Sequence, residues 1–237
     1  MIPKVIHYCW FGGKELPELA KRCIASWKKY CPDYRIIRWD EENFDVFAND
    51  YTRWCYENRK WAFLSDYARL AIVAEQGGFY FDTDVELLSG LDPLLEHPAF
   101  FSTESPGMVN TGQGFGAEAH HPAVLAMYQV YDDLAPTLDG AYPTIPCPQL
   151  NTQVLKSLGF RESTDLQNLD GALILPPEYM NPLDNATGRL NITNRTISIH
   201  HYAKSWISPG IRLRTKLTRP LHRIFGKDCL AWLRKRL

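Results

Sequence analysis

The sequence predicts an α/β protein, a mostly parallel sheet flanked by helices and followed by a basic amphipathic helical tail. Three observations carry the prediction. The front of the chain alternates strand and helix patterns, the order of a parallel sheet with helical crossovers. Between Trp61 and Gln76 apolar residues recur at helical spacing and stop at Gly77-Gly78, from which an apolar run leads to Asp82 and Asp84. Residues 212–237 hold nine Lys and Arg against the single Asp228, so the net charge of −1 leaves −9 on the rest. That split marks a basic tail on an acidic body.

Taken in order, Lys4–Phe11 is apolar and β-prone and ends in Gly12-Gly13, a strand followed by a tight loop. Glu15–Tyr30 places Leu16, Leu19, Cys23, Ile24 and Trp27 at helical spacing, and Pro32 is the stop. Tyr34–Trp39 is a second strand, after which the acidic stretch 40–50 begins short helices. In the 61–76 helix, Ala62, Ser65, Asp66, Arg69, Leu70 and Val73 share one broad side. A strand over 79–82 then ends in the two aspartates, at the edge where open α/β sheets bind ligands. Shorter strands are expected at Ala99–Thr103, Gln113–Ala117, Ala172–Leu175 and Thr196–His201, with a helix at Pro122–Leu134 and loops over 136–149 and 176–190. The tail alternates Leu, Ile, Phe and Trp with Arg and Lys at helical spacing, and Pro220 fits its start.

The chain divides at 1–210, one domain with a full core, and 211–237, the tail. Its opening lacks a long apolar h-region and cleavage site, and no uncharged stretch approaches a membrane span, so a cytoplasmic protein is expected. The six cysteines show no C-x-x-C spacing and are read as reduced, mostly buried thiols.

Asp82 and Asp84 carry the functional signal. Two carboxylates at the end of Phe79-Tyr80-Phe81 need a positive partner, because desolvating unpaired charge costs several kcal/mol. Residues i and i+2 of a strand share a face, so extended geometry would converge them into a hard oxygen site for Mg²⁺ or Mn²⁺. The bland alternative is a pair of solvated carboxylates. Asp66 and Arg69, three apart on the preceding helix, would ordinarily be a weak surface pair, yet their neighbours Leu64, Leu70, Ala71 and Ile72 are apolar.

"FLSDYARLAIVAEQGGFYFDTDVEL" resembles the signature of the DXD sugar-transferase family, glycosyltransferase family 32, to which yeast mannosyltransferases and clostridial toxin glucosyltransferase domains are related. "IPKVIHYCWFGG" and "HHYAKSW" resemble the family's first strand and late segment, so the resemblance covers roughly residues 2–206. It implies a GT-A-type (Rossmann-like) fold, a nucleotide-sugar donor (UDP-sugar favoured, GDP-mannose as the other choice) and Mn²⁺ or Mg²⁺. By that resemblance Asp84 ligates the metal, while Asp82 contacts donor and metal. Asp66 and Arg69 hold the sugar hydroxyls, with Ser65 and Tyr80 beside them. Trp10 stacks on the base, and Ser205 and Trp206 close over the diphosphate. His201 is a further metal ligand, preferred to His200 on the alternation of Ile197 and Ile199 into the core. Asn110, with Thr111 and Gly112, is placed at the acceptor side, although a plain turn explains that segment equally well.

The implied activity is metal-dependent, retaining transfer of a hexose to a saccharide or lipid-linked saccharide in bacterial surface polysaccharide synthesis (capsule or lipopolysaccharide). The tail is read either as an interfacial helix on the anionic inner membrane or as a helix docked on the domain; no nucleic-acid motif accompanies its charge. Two rivals stand beside the transferase: an aspartyl-phosphate phosphatase using Asp82 and Asp84, and a non-catalytic membrane-associated protein that binds sugar nucleotides.

Overall fold

The computed structural model describes residues 1–104, 107–163 and 165–203, and beyond them 218, 220, 223–225 and 229. Strand β1 (Val5–Cys9) is followed by helix α1 (Glu18–Tyr30), strand β2 (Arg35–Trp39) and helices α2 (Asp50–Glu57) and α3 (Trp61–Gln76). Then come β3 (Gly78–Tyr80), β4 (Val85–Leu87), β5 (Ala99–Glu104), β6 (Met108–Val109) and β7 (Phe115–Ala117). The remainder holds α4 (Pro122–Asp132), α5 (Cys147–Ser157), β8 (Gln167–Leu169), β9 (Ala172–Leu175), the short α6 (Pro177–Met180) and β10 (Ser198–His200).

The main sheet has the order β2-β1-β3-β7-β5-β9-β8, with β6 paired to β5. Strands β2, β1, β3, β5 and β9 run in one direction, and β7 and β8 run against them. This is the mostly parallel α/β sheet the sequence predicts. A separate pair, β4 with β10, lies beside it.

Strand residues are apolar on both faces because helices cover both. Phe79 and Phe81 join Ile6, Tyr8 and Trp27 of α1 in one cluster, whereas Tyr80 joins Leu64 and Ala68 of α3 in the other. Each fully buried Phe of this kind contributes roughly 1.5–3 kcal/mol. The alternation also decides chemistry, since Tyr80 and the residue two places on face α3.

The α3–β3 corner depends on Gly77 and Gly78, at φ 65° and 105°. A Cβ on Gly78 would sit 2.9 Å from His7 Nε2 and from the Val5 carbonyl, and one on Gly77 would sit 2.8 Å from the Ala119 nitrogen. Both glycines are therefore required by conformation and by close approach.

Several boundaries move for physical reasons. Helix α1 starts at Glu18, with Pro17 at its N-cap. Helix α2 starts at Asp50, where the Asn49 side chain accepts from the Thr52 N–H. The strand expected over 79–82 stops at Tyr80, because the chain turns over 82–85 with Val85 N–H donating to the Asp82 carbonyl. Helix α5 occupies a stretch whose start was expected to be loop; its prolines are at the N-cap and first turn, where no intrahelical N–H is lost. Five cysteines are buried free thiols and Cys229 is half-buried.

The division at 211 and most of the tail lie outside the described residues, as do Ser205 and Trp206. Arg223, Ile224 and Phe225 are exposed, and the Arg223 carbonyl accepts from Arg189 Nη2 at 2.7 Å. No helix of the described residues is long and apolar enough to cross a membrane.

His7 ties β1 to this corner. Its Nε2 donates to the Gly77 carbonyl at 2.9 Å and its Nδ1 accepts from Trp39 Nε1 at 3.0 Å, a pattern only the neutral ring satisfies. Burial lowers its pKa from 6.5 to about 4. The unfolded chain takes up this proton first, so the contribution is complete above pH 6.5 and lost as the pH falls toward 4, roughly 3 kcal/mol in all. Asp66, raised to about 6 by burial, acts with the opposite sign over the same window. Hence the stability difference between wild type and His7→Gln, from urea unfolding at pH 7.5 and 4.5, should shift against wild type by about 2–3 kcal/mol on acidification. An unchanged difference would refute a neutral His7.

Candidate active site

Helix α3 is buried around most of its circumference, from Leu64 through Ala74. Asp66 and Arg69 are thus not a surface pair: their side chains are 10% and 3% exposed, and Arg69 Nη2 lies 2.9 Å from Asp66 Oδ1. The same nitrogen donates to Asp82 Oδ1 at 3.0 Å, and the guanidinium lies 4.9 Å from the Tyr80 ring centroid. Tyr80 Oη donates to Asp82 Oδ1 at 3.1 Å. Arg69 Nε also donates to the Ser65 carbonyl, its own helix four residues back, at 3.1 Å. Burial opposes the charge on Arg69, but Asp82 and Asp66 outweigh it and hold the guanidinium protonated. Asp66 goes the other way, since burial raises it to about 6 against the pull of Arg69.

Beyond Asp82 the geometry departs from strand alternation. Asp82, Thr83 and Asp84 lie in the 82–85 turn, and the turn rather than an extended strand converges the two carboxylates. Gly112 closes the other side: its carbonyl accepts from the Asp82 N–H at 2.9 Å, and a Cβ there would collide with Asp82 Oδ2 and stand 2.9 Å from Arg69 Nη1.

The imidazole that joins the aspartates is His200, which corrects the expectation of His201. In the antiparallel β4–β10 pair His200 lies opposite Val85 on the buried face, with its Nε2 3.5 Å from Asp84 Oδ1. His201 faces the other way, with its Nε2 2.7 Å from Glu86 Oε2 and its backbone N–H donating to the Asp84 carbonyl. Asp82, Asp84 and His200 each offer a ligand atom within 4.8 Å of the others. Burial would raise Asp84, but the charge and hydrogen bond of His200 and the Ala203 N–H outweigh it and hold Asp84 at about 2. His200 is raised, because Asp84 and Asp82 overcome its burial. His200 Nδ1 is buried with no partner among the described residues. A carboxylate–carboxylate–imidazole set with an orphaned buried nitrogen fits a divalent cation.

Other expected residues are placed as follows. Asn110 Oδ1 accepts from the Gly112 N–H at 2.8 Å, and its amide donates to Glu104 Oε2 at 3.1 Å. Trp10 sits just past β1, its indole N–H committed to the Lys14 carbonyl at 2.6 Å. Ser65 is half-buried one helical turn from Arg69. Three participants are not among the expected site residues. Cys147, at the start of α5, lies 3.7 Å from Arg69 Nη1. Asn151, one turn on, donates to Thr111 Oγ1 at 2.9 Å and leaves its own Oδ1 buried without a hydrogen-bond partner among the described residues. Glu104 accepts from Asn110 and, at 3.4 Å, from Tyr202. Only a strand ending in a carboxylate marks Glu104 in the sequence.

Removing Arg69 would strand Asp66 and Asp82 together. Arg69→Met should therefore destabilise the fold by about 3–5 kcal/mol, far beyond the loss of a surface pair. Chemical unfolding of purified variant and wild type measures it; a loss below 1 kcal/mol would show that the pair is solvated.

A family model described as the glycosyltransferase sugar-binding region containing the DXD motif matches residues 17–101. Inositol phosphoceramide mannosyltransferase 3 of Schizosaccharomyces pombe is 34% identical over 129 residues, covering 52% of this chain and 35% of that protein. Mannosyl phosphorylinositol ceramide synthase SUR1 of Saccharomyces cerevisiae is 33% identical over 129 residues, 53% of this chain and 33% of that protein. The chain thus spans about a third of the length of these curated relatives. Among solved structures, the PaToxG glycosyltransferase superposes with a TM-score of 0.48 at 20% identity, over 66% of this chain and 68% of that one. The motif Asp82-Thr83-Asp84 lies inside the matched region, and over about half of its length the chain is similar to these mannosyltransferases.

Proposed function

We propose that the chain is a metal-dependent, retaining glycosyltransferase that moves a hexosyl group from a nucleotide-sugar to a saccharide or lipid-linked saccharide. The observation that carries this reading is the convergence of Asp82, Asp84 and His200 next to the buried Asp66–Arg69 pair. Two carboxylates and an imidazole suit Mn²⁺, with Mg²⁺ as the all-oxygen-preferring alternative. When bound, such a cation supplies positive charge to the departing diphosphate.

The chain's own residues do the rest. Arg69 and Tyr80 fix Asp82 Oδ1, which leaves Oδ2, on the Gly112 side, as that carboxylate's other donor atom. Asp66 and the orphaned Asn151 Oδ1 offer acceptors for sugar hydroxyls. Retention by front-face attack, with the leaving phosphate taking the acceptor's proton, then asks the protein for positioning and electrostatics alone.

The names of the relatives, mannosyltransferases acting on inositol phosphoceramide, favour a mannosyl donor and a lipid-linked acceptor, which sets GDP-mannose beside the UDP-sugars. Bacterial surface-polysaccharide synthesis, at the cytoplasmic face of the membrane, is the setting proposed from the sequence. The basic tail would hold the protein at an anionic lipid surface, with Ile224 and Phe225, 72% and 69% exposed, among its apolar residues. Co-sedimentation with phosphatidylserine vesicles, weakened by salt and lost on deleting 211–237, is the expected result; binding that survives the deletion would dismiss the tail.

The phosphatase reading finds little support. Such a phosphatase needs a later lysine and a downstream acidic pair; here the cation beside Asp82 is Arg69, and the acidic pair Asp132-Asp133 closes helix α4, with Asp132 bonded by Tyr67 Oη at 3.3 Å. Asp84→Ala tests the main reading. With Mn²⁺ and a panel of nucleotide-sugars, wild type should release nucleoside diphosphate, and the variant should fall by about 100-fold or more. Phosphate release from monoesters would replace the transferase with a phosphatase, and tight donor binding without turnover would leave a non-catalytic binding protein.

A further inference from the structure

A second recess lies at the N-terminal end of α3, about two turns from Arg69. It is a cavity of about 570 Å³ lined by Gly12, Lys14, Glu41, Tyr56, Arg59 and Trp61. Three elements build it: the loop after β1, the segment after β2, and the α2–α3 corner. Its walls are aromatic, with the Tyr56 and Trp61 rings 5.5 Å apart at 68°. The loop lies so close to Trp61 that a Cβ on Gly12 would stand 2.9 Å from the indole. Glu41 Oε1 accepts from the Gly12 N–H at 2.6 Å, which pins the carboxylate at the mouth of the loop. Lys14, Glu41 and Arg59 have no ion-pair partner among the described residues.

We infer that this cavity takes the nucleobase of the donor and that Glu41 selects guanine. The inference rests on the nucleotide-sugar reading above and deepens it by naming the base. Distance supports the placement: Trp61 and Arg69 are eight residues apart on α3, about 12 Å by helical rise, the scale of an extended nucleoside diphosphate. An aromatic-walled recess of this size suits a planar heterocycle. Chemistry then chooses among the bases. A carboxylate only accepts, and guanine alone offers it two adjacent donors, N1–H and the 2-amino group. Uracil has one imide N–H between two carbonyls, whose lone pairs face the same negative charge, and adenine sets a ring acceptor beside its amino group. Lys14 and Arg59 complement the O6 and N7 acceptors of guanine. The indole in this cavity is Trp61; Trp10, the residue expected to stack on the base, does not line it.

Isothermal titration of the full chain with GDP, IDP and UDP, each with Mn²⁺, tests the assignment. GDP should bind at least about tenfold tighter than UDP, and about tenfold tighter than IDP, which lacks only the 2-amino group. Glu41→Gln keeps a carbonyl for the Gly12 N–H, and its thermal melt checks the fold; the GDP-over-IDP preference should shrink toward unity. UDP binding as tightly as GDP, equal affinity for GDP and IDP in wild type, or an undiminished preference in Glu41→Gln would each overturn the guanine assignment and leave the donor reading standing. Binding of none of the three diphosphates would bring down both. The GDP–IDP comparison on wild type decides the matter even if the variant fails to fold.

Discussion

One buried guanidinium organises this molecule. Arg69 lies between Asp66 on its own helix and Asp82 beyond β3, and it packs against Tyr80. Taking three charges out of water is expensive, and such a triad persists only with good geometry and further hydrogen bonds. Here those come from the Ser65 carbonyl, from Thr111 Oγ1 at 3.5 Å, and from Tyr80 on the shared Asp82 oxygen. A merely stable fold would fill this space with apolar residues. That the chain instead holds a half-neutralised carboxylate pair at the carboxyl edge of the sheet argues for a site.

The two aspartates of the turn have separate duties. Asp82 is held by Arg69 and Tyr80, and burial raises its carboxyl against the pull of Arg69. Asp84 faces His200 and the Ala203 N–H, which hold it ionised. One carboxylate is thus tied to helix α3, and the other to a strand from late in the sequence. The turn over 82–85 links the two environments in the space of two residues. On the proposed reading, the donor's sugar and diphosphate ends meet different walls of one cleft for this reason.

How much of this the sequence discloses depends on range. Helix α3 was legible from end to end because its apolar period and its Gly-Gly stop are local. The pairing of Tyr80 with Asp82 was likewise implicit in strand period, though the same period misdirects for Asp84, since a turn interrupts it. His200 was lost to its neighbour for a related reason. Which histidine faces Asp84 is set by the register of β10 on β4, and β4 is three residues long with no pattern of its own. Helix α5 hid behind prolines that read as breakers yet sit where a helix tolerates them. Cys147 and Asn151 enter the site through packing across more than thirty residues of chain, which no local window contains.

Helix α3 also explains why the cleft has a length. A helix rises a fixed distance per residue and bends little over four turns, so groups placed along it keep their spacing. Trp61 at one end faces the cavity with Glu41, and Arg69 two turns on holds Asp82. Both ends are anchored: Gly12 packs on the Trp61 indole, and Gly77 and Gly78 lock the far terminus against β1 and the 117–119 segment. The spacing between the aromatic recess and the acidic turn is therefore rigid, not adjustable. On the proposed reading, the ligand that reaches both is a nucleotide-sugar, planar at its base and anionic at the diphosphate that a cation beside Asp82 and Asp84 would neutralise.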